Sequence, residues 1–172
     1  MTPDRDILLS GDQVLTLVDA VAERISPRIS DQTVVVCLLT GGLWFAADLM
    51  RALARRGRHP VFDALWLSSY GDAHASSGVV TVRAGLQRPV EGLQALLLDD
   101  VLDSGRSLSS AVDAVKIAGA KEALSAVFAR KPWPEPRMTP DFIAWEAPDR
   151  FLVGYGMDDA GRYRGLPGIE AI

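Results

Sequence analysis

The sequence is poor in the residues that build disulfide frameworks, metal clusters and membrane spans. Its 172 residues include one cysteine and two histidines, so an internal disulfide is impossible and no cysteine–histidine cluster has the spacing of a metal site. The longest apolar run, Val34–Leu39, is far shorter than the ~20 residues that a membrane helix needs. Residues 1–13 mix acidic with apolar side chains and lack the apolar core of a signal peptide, so we expect a cytoplasmic location.

The sequence also has fewer basic than acidic residues. Lysine and arginine number 18 against 22 aspartate and glutamate, which gives a net charge of −4 and a pI near 5.1. Such a chain has no bulk basic field with which to attract DNA or RNA. The contents of 48% hydrophobic and 23% charged residues are ordinary for a soluble globular protein, and the length suits one domain. We therefore expect a single domain over 1–172, with no nucleic-acid or membrane partner.

The spacing of apolar residues predicts alternating strands and helices. Apolar residues recur every three or four positions between Ser10 and Pro27 and again over 43–56, which predicts two helices. The apolar run at 33–39 between them is typical of a buried parallel strand. Further runs predict strands at 60–67, 79–83, 93–98, 124–129, 142–145 and 151–155, and a helix at about 107–118. This alternation predicts an α/β fold with a central parallel sheet flanked by helices.

The most informative group of polar residues directly follows the strand predicted at 93–98. Asp99 and Asp100 come directly after it, and a short loop through Asp103 then opens a helix. Helix N-termini present free N–H groups and the positive end of the dipole, so residues 104–107 can cradle a phosphate. Carboxylates at the end of a parallel strand can accept hydrogen bonds from ribose hydroxyls. The combination suggests a ribose 5-phosphate, although Asp103 or Ser104 could instead simply cap the helix.

Several ordered segments resemble one enzyme family. Residues 97–107 have the sequence LLDDVLDSGRS, which resembles the phosphoribosyl pyrophosphate (PRPP) motif of the type I phosphoribosyltransferases. Residues 39–49 resemble the pyrophosphate loop of the hypoxanthine-guanine branch, and 68–71 resemble the start of its flexible loop. Residues 140–143, 148–156 and 163–167 resemble its C-terminal hood. The resemblance implies the type I phosphoribosyltransferase fold, with a core at about 30–132 and a small hood formed by about 133–172 and the N-terminal segment.

The resemblance implies a reaction and a set of residues at the ribose. The reaction is transfer of ribose 5-phosphate from PRPP to N9 of a 6-oxopurine, with release of pyrophosphate and Mg²⁺ as cofactor. Asp103 would be the general base at purine N7. Asp99 and Asp100 would hold the ribose 2- and 3-hydroxyls, directly or through metal-bound water. The 5-phosphate would be bound by Ser104, Gly105, Arg106 and Ser107.

The same resemblance assigns the pyrophosphate and metal contacts. Thr40 and Gly41 would present backbone N–H groups to pyrophosphate, often across a non-proline cis peptide in this family. The family frequently has lysine where this chain has Thr40, so the charge of that side chain is lost here. Arg164 would meet pyrophosphate bidentately, and Asp158 would be a magnesium ligand. Ser69 and Tyr70 would belong to a loop that closes over the site.

The purine contacts and the assembly are implied in the same way. Lys131 would donate to the purine 6-oxo group, although Arg130 beside it is an alternative. Phe151 would stack on the purine, and Leu152 would offer backbone contacts to its edge. Members of the family are commonly dimers or tetramers, so we expect a homo-oligomer. Two other functions remain open: PRPP-dependent transfer to another base, and a phosphoribosyltransferase-like regulator, which would need a basic face that the pI argues against.

Overall fold

The described residues, 5–69 and 80–172, form two sheets and three α-helices in the computed structural model. The elements in chain order are β1 Asp6–Leu9, α1 Gly11–Ile25, a 3₁₀ turn Ser26–Arg28, β2 Val34–Leu39, α2 Leu43–Arg55, β3 Val61–Ser69, β4 Val80–Ala84, β5 Gln94–Leu102, α3 Arg106–Ile117, β6 Glu122–Arg130, β7 Phe142–Glu146, β8 Leu152–Val153 and β9 Ile169–Ala171. In this part of the chain, no helix is both long enough and apolar enough to cross a bilayer.

The large sheet confirms the predicted α/β fold. Its strand order is β4-β3-β2-β5-β6-β7, and every neighbouring pair is parallel except β3 and the edge strand β4. Alternation along β2 sends Val35 and Cys37 to the face covered by α1 and α2, while Val34 and Val36 face α3. Because both faces are covered, the central strands are apolar on both sides, which is why they appear as continuous apolar runs in the sequence.

Local signals fix the start of α1. The Ser10 hydroxyl accepts from the Gln13 backbone N–H, and the Gln13 side chain accepts from the Ser10 backbone N–H, which together form a capping box. The helix ends at Ile25, and Pro27 lies in the 3₁₀ turn that follows. The helix predicted between Ser10 and Pro27 is therefore confirmed.

Two strand predictions need correction. The strand predicted to end at residue 98 continues to Leu102, because β6 goes on pairing with β5 beyond that point. The strand predicted at 151–155 is wrong over most of its length, since only β8, Leu152–Val153, is extended. Gly154, Tyr155 and Gly156 have φ angles of 97°, 47° and 100°, which an extended strand does not allow.

The second sheet is small and antiparallel, with the strand order β1-β9-β8. Its strands are short, and β1 pairs with β9 from the opposite end of the chain. Leu152, Ile169 and Ala171 of this sheet are buried in the same core as α1 and α2. The antiparallel pairing thereby holds the N-terminal segment and the C-terminal residues together.

Candidate active site

Asp99 and Asp100 lie where β5 keeps one neighbouring strand and loses the other. Pairing with β2 ends at Leu98, whereas pairing with β6 continues to Leu102. The two carboxylates therefore border the open side beyond the end of β2. Asp100 is buried, and its backbone N–H donates to Asp99 Oδ1 at 3.0 Å. Burial raises the pKa of both carboxyls, and the negative charge of Asp100 raises the pKa of Asp99 further.

The loop after β5 leaves the start of α3 without a side-chain cap. Gly105 is the N-cap residue at φ 75°, and no side chain bonds to the N-terminal N–H groups of the helix. The alternative in which Asp103 or Ser104 caps α3 is therefore wrong. Residues 103–107, together with Asp99 and Asp100, line a cavity of about 340 Å³. Uncapped N–H groups at the positive end of a helix dipole make this cavity suitable for an anion.

The loop between β2 and α2 touches the carboxylate pair directly. The Leu39–Thr40 peptide bond is cis, as the resemblance implies. A Cβ on Gly41 would overlap the Oδ2 atom of Asp100, so only glycine lets the loop backbone approach this carboxylate so closely. The Thr40 side chain is exposed and lines neither of the cavities described here.

A second cavity, of about 460 Å³, adjoins the first. The two share Asp100, Val101, Asp103 and Ser107 in their walls, so they form one continuous cleft. The second cavity brings in residues from the loop after β2, the end of β6 and the C-terminal part of the chain: Gly41, Lys131, Phe151, Leu152, Met157, Asp158 and Arg164. Residues that are distant in sequence are thus collected along a single cleft.

Lys131 and Arg130 point to different places. Lys131 lines the cleft, and its Nζ lies 3.2 Å from Asp103 Oδ1. Arg130 instead makes a bidentate ion pair with Glu146 of β7, at 2.9 Å and 2.6 Å. The alternative of Arg130 facing the site is therefore at odds with the geometry. At the same end of the cleft the Phe151 ring is 52% exposed, while Leu152 is buried.

A hood loop, residues 154–168, carries the remaining predicted contacts. Arg164 bonds Asp158 Oδ1 at 2.7 Å and also donates to the Gly156 carbonyl. The Gly161 backbone N–H donates to the other oxygen of Asp158 at 2.6 Å. The Arg164 and Asp158 side chains are each about one quarter exposed and line the cleft, so the ion pair fixes both at the cleft wall.

Two predicted loop residues cannot be placed in the cleft, and one cleft residue was not predicted. Tyr70 lies outside the described residues, and Ser69 is the last residue of β3, its side chain also outside the described part. Met157, which sequence reasoning did not single out, is buried and lines the cleft. Its position between Gly156, the last residue of a hood segment, and Asp158 is the signal that could have indicated it.

The carboxylates suit a magnesium ion. Among the described residues, no group of three histidine, cysteine, aspartate or glutamate side chains is arranged to enclose a metal. Asp99, Asp100 and Asp158 nevertheless offer hard oxygen donors along one cleft. Magnesium in phosphate-handling sites is held by one or two carboxylates together with substrate oxygens, so a dedicated protein cage is not required.

Comparisons with known proteins identify relatives of this chain. The family model of the phosphoribosyl transferase domain matches residues 6–160. The chain is 33% identical to hypoxanthine-guanine phosphoribosyltransferase of Bacillus subtilis over 96% of this chain and 92% of that protein. It is 34% identical to the Aquifex aeolicus protein of the same name, over 96% and 93%. A solved hypoxanthine-guanine phosphoribosyltransferase from Bacillus anthracis superposes with a TM-score of 0.87 at 30% identity, covering 97% and 98%.

Proposed function

The chain belongs to the phosphoribosyl transferase family, and from this we propose that it transfers ribose 5-phosphate from PRPP to N9 of a 6-oxopurine and releases pyrophosphate. It is a purine salvage enzyme of the hypoxanthine-guanine branch. One observation carries the proposal beyond the family: a single cleft joins the uncapped start of α3, the carboxylate pair, the Gly41 loop and Lys131. The reaction brings a phosphate, a ribose, a pyrophosphate and a base together, and these four surfaces would bind them in that order along one cleft.

The ribose 5-phosphate end is assigned to the first cavity. The phosphate accepts from the N–H groups of residues 104–107, with Arg106 adding a positive charge at its rim. Asp99 and Asp100 accept from the ribose hydroxyls. Because displacement at the anomeric carbon builds positive charge on the ribose ring, carboxylates beside it also favour the transition state.

The pyrophosphate end is assigned to the Gly41 loop and the hood loop. Backbone N–H groups of Thr40 and Gly41 face one side of the leaving group, and the Arg164 guanidinium bonds it from the other. Asp158, with Asp99 and Asp100, would hold Mg²⁺ there. The metal, when bound, spreads the negative charge of the departing pyrophosphate.

The base is assigned to the Lys131 end of the cleft. Lys131 carries only donors, so it pairs with the 6-oxo acceptor of hypoxanthine or guanine and meets another donor in the 6-amino group of adenine. Such a mismatch leaves polar groups unpaired and strongly disfavours adenine. Phe151 covers the ring, and Leu152 offers its backbone to the edge. Asp103 accepts the proton at N7 while the bond from N9 to the anomeric carbon forms.

A partly exposed apolar surface on β3 bears on the assembly of the chain. Phe62 and Trp66 lie on the same face of β3 and are each 41% exposed, which suits contact between copies of the chain. A Trypanosoma cruzi relative, 26% identical with a TM-score of 0.88, was solved to study how its C-terminal region affects oligomeric state. We propose a cytoplasmic homo-oligomer, dimer or tetramer, of one 1–172 domain. Light scattering measures its mass.

The test is pyrophosphate release from PRPP and Mg²⁺ with hypoxanthine, guanine, xanthine and adenine offered separately. We expect release with the 6-oxopurines and none with adenine. Asp103→Asn should lower kcat by about 10²-fold or more, because the amide cannot take the N7 proton, and should leave PRPP affinity nearly unchanged, because Asp103 is assigned to the base. Asp113→Asn, an exposed acid on α3, is the matched control. Equal release with adenine would point to another base, and silence with all four despite PRPP binding would point to a regulator.

A further inference from the structure

A hydrogen bond joins the hood loop to the helix that follows the Gly41 loop. The Tyr155 hydroxyl donates to Asp48 Oδ2 at 3.0 Å, across a separation of 107 residues. Tyr155 is 3% exposed and lies in the turn between Leu152 and Asp158. Asp48 lies in α2, which begins at Leu43, directly after the loop. The bond therefore connects the two walls assigned to pyrophosphate, although neither residue faces the cleft.

The surrounding rings keep Tyr155 in one orientation. Its ring meets Phe128 of β6 edge to face, with centroids 4.9 Å apart, and Phe128 meets Phe45 of α2 in the same manner at 5.8 Å. Edge-to-face aromatic contacts are specific in direction as well as favourable. The ring thus packs on Phe128 of the sheet, which itself packs on Phe45 of α2, and this arrangement favours the orientation in which the hydroxyl bonds Asp48.

The backbone at Tyr155 transmits that position to the site. Its N–H donates to the Leu166 carbonyl at 2.9 Å, and the N–H of Gly156 donates to the Arg164 carbonyl at 3.0 Å. A Cβ on Gly156 would overlap the Gly41 carbonyl oxygen, so the hood loop rests directly on the Gly41 loop. A displacement of Tyr155 would move Arg164 and the Gly41 contact together.

Tyr155 adopts its backbone conformation against its own preference. Its φ of 47° lies in the left-handed region, between two glycines that occupy the same side of the map freely. A third glycine would satisfy this backbone at lower cost. The contacts of the tyrosine side chain must therefore offset the cost of this backbone conformation, and its hydroxyl is the part that bonds a polar partner.

We propose that Tyr155, held by Asp48, is a positioning residue that sets the spacing between Arg164 and the Gly41 backbone, and so the affinity for pyrophosphate. The inference rests on the proposed function. The purine end should respond less, because Leu152 and Val153 are held separately by pairing with β9. Loss of the hydroxyl should therefore affect one end of the cleft selectively.

The first experiment compares Tyr155→Phe with the wild type. This variant keeps the ring and removes only the hydroxyl. We expect the Kd for pyrophosphate, titrated by calorimetry with Mg²⁺, to rise about five- to tenfold, the scale of one lost hydrogen bond. The KM for PRPP should rise in parallel, and the KM for hypoxanthine should change less than twofold. Arg51→Gln is the control, because it removes the Arg51 ion pair at Asp48 Oδ1 and leaves the Tyr155 bond intact.

A double-mutant cycle then assigns the effect to the bond. Asp48→Ala should weaken pyrophosphate binding like Tyr155→Phe, the combined variant should be no worse than either, and Asp48→Asn should recover part of the loss. A fall in Tm with an unchanged pyrophosphate Kd would make Tyr155 purely structural and overturn the proposal. If the wild type binds no pyrophosphate, both proposals fail; if it binds and turns over but Tyr155→Phe behaves identically, only this one fails.

Discussion

Lys131 and Arg130 carry the same charge one position apart, and their partners give them different tasks. Lys131→Ala should raise the KM for hypoxanthine about tenfold or more, because the 6-oxo group would lose a charged donor, a contact worth about 1.5–3 kcal/mol. Discrimination against adenine should fall with it. Arg130→Ala is the matched control, since it breaks only the ion pair with Glu146. Steady-state kinetics with both bases measures the difference, and an effect of Arg130→Ala alone would reverse the assignment.

This pair shows what the residue pattern can and cannot predict. The resemblance implies a cationic residue at the purine, but either Arg130 or Lys131 satisfies the pattern. The choice depends on β7, where Glu146 stands opposite Arg130 in the parallel register. Which residue of β7 stands opposite Arg130 is fixed only when the two parallel strands pair, so the sequence around Arg130 alone does not specify it. Which of the two residues lines the cleft is therefore seen only in the folded sheet.

The proposed phosphate site lies at one helix terminus, the start of α3. Gly105→Ala should lower PRPP affinity about tenfold or more, because Gly105 has φ 75° and a Cβ there would lie 3.3 Å from the Met138 backbone nitrogen. Gly57→Ala is the matched control, since its φ of 71° carries the same backbone cost with no atom within 4 Å of the added carbon. Both variants should lose about 1 kcal/mol of stability. Equal PRPP affinity in the two would remove α3 from the phosphate site.

Elements differ in how strongly the local sequence determines them. The capping box of α1 and the apolar runs of β2 and β5 are local, and the corresponding predictions are confirmed. The end of β5 is not local, because β6 extends it to Leu102. β1 and β9 are too short to show a period, and each is stabilised by a partner at the other end of the chain. The helices and the parallel sheet were therefore predictable, and the small sheet was not.

At the scale of the whole molecule, the site combines a stable scaffold with an unfavourable charge arrangement. Apolar side chains on both faces of the sheet provide the stability, while two adjacent carboxylates are held together at its carboxyl edge. Burial and the charge of Asp100 raise the pKa of Asp99 well above its usual value. A carboxyl whose pKa is higher in the folded state than in the unfolded state destabilises the fold once the pH exceeds the unfolded-state pKa. The destabilisation grows until the pH passes the folded-state pKa. At neutral pH the pair therefore lowers stability, and the proposed ribose and metal contacts are a reason to retain it.

Asp99→Asn should consequently raise the Tm of the ligand-free protein at neutral pH while impairing catalysis. Relief of about 1 kcal/mol corresponds to about 2–4 °C for a chain of this size. The gain should shrink as pH falls toward 4, because protonation neutralises the wild-type carboxyl as well. PRPP with Mg²⁺ should stabilise the wild type more than the variant, since a ligand of the ribose and metal is lost. Scanning calorimetry across pH measures both effects, with the exposed Asp113→Asn expected to change neither. A lower Tm for Asp99→Asn at neutral pH would mean that Asp99 stabilises the fold, and the carboxylate pair would then need a structural explanation instead of a functional one.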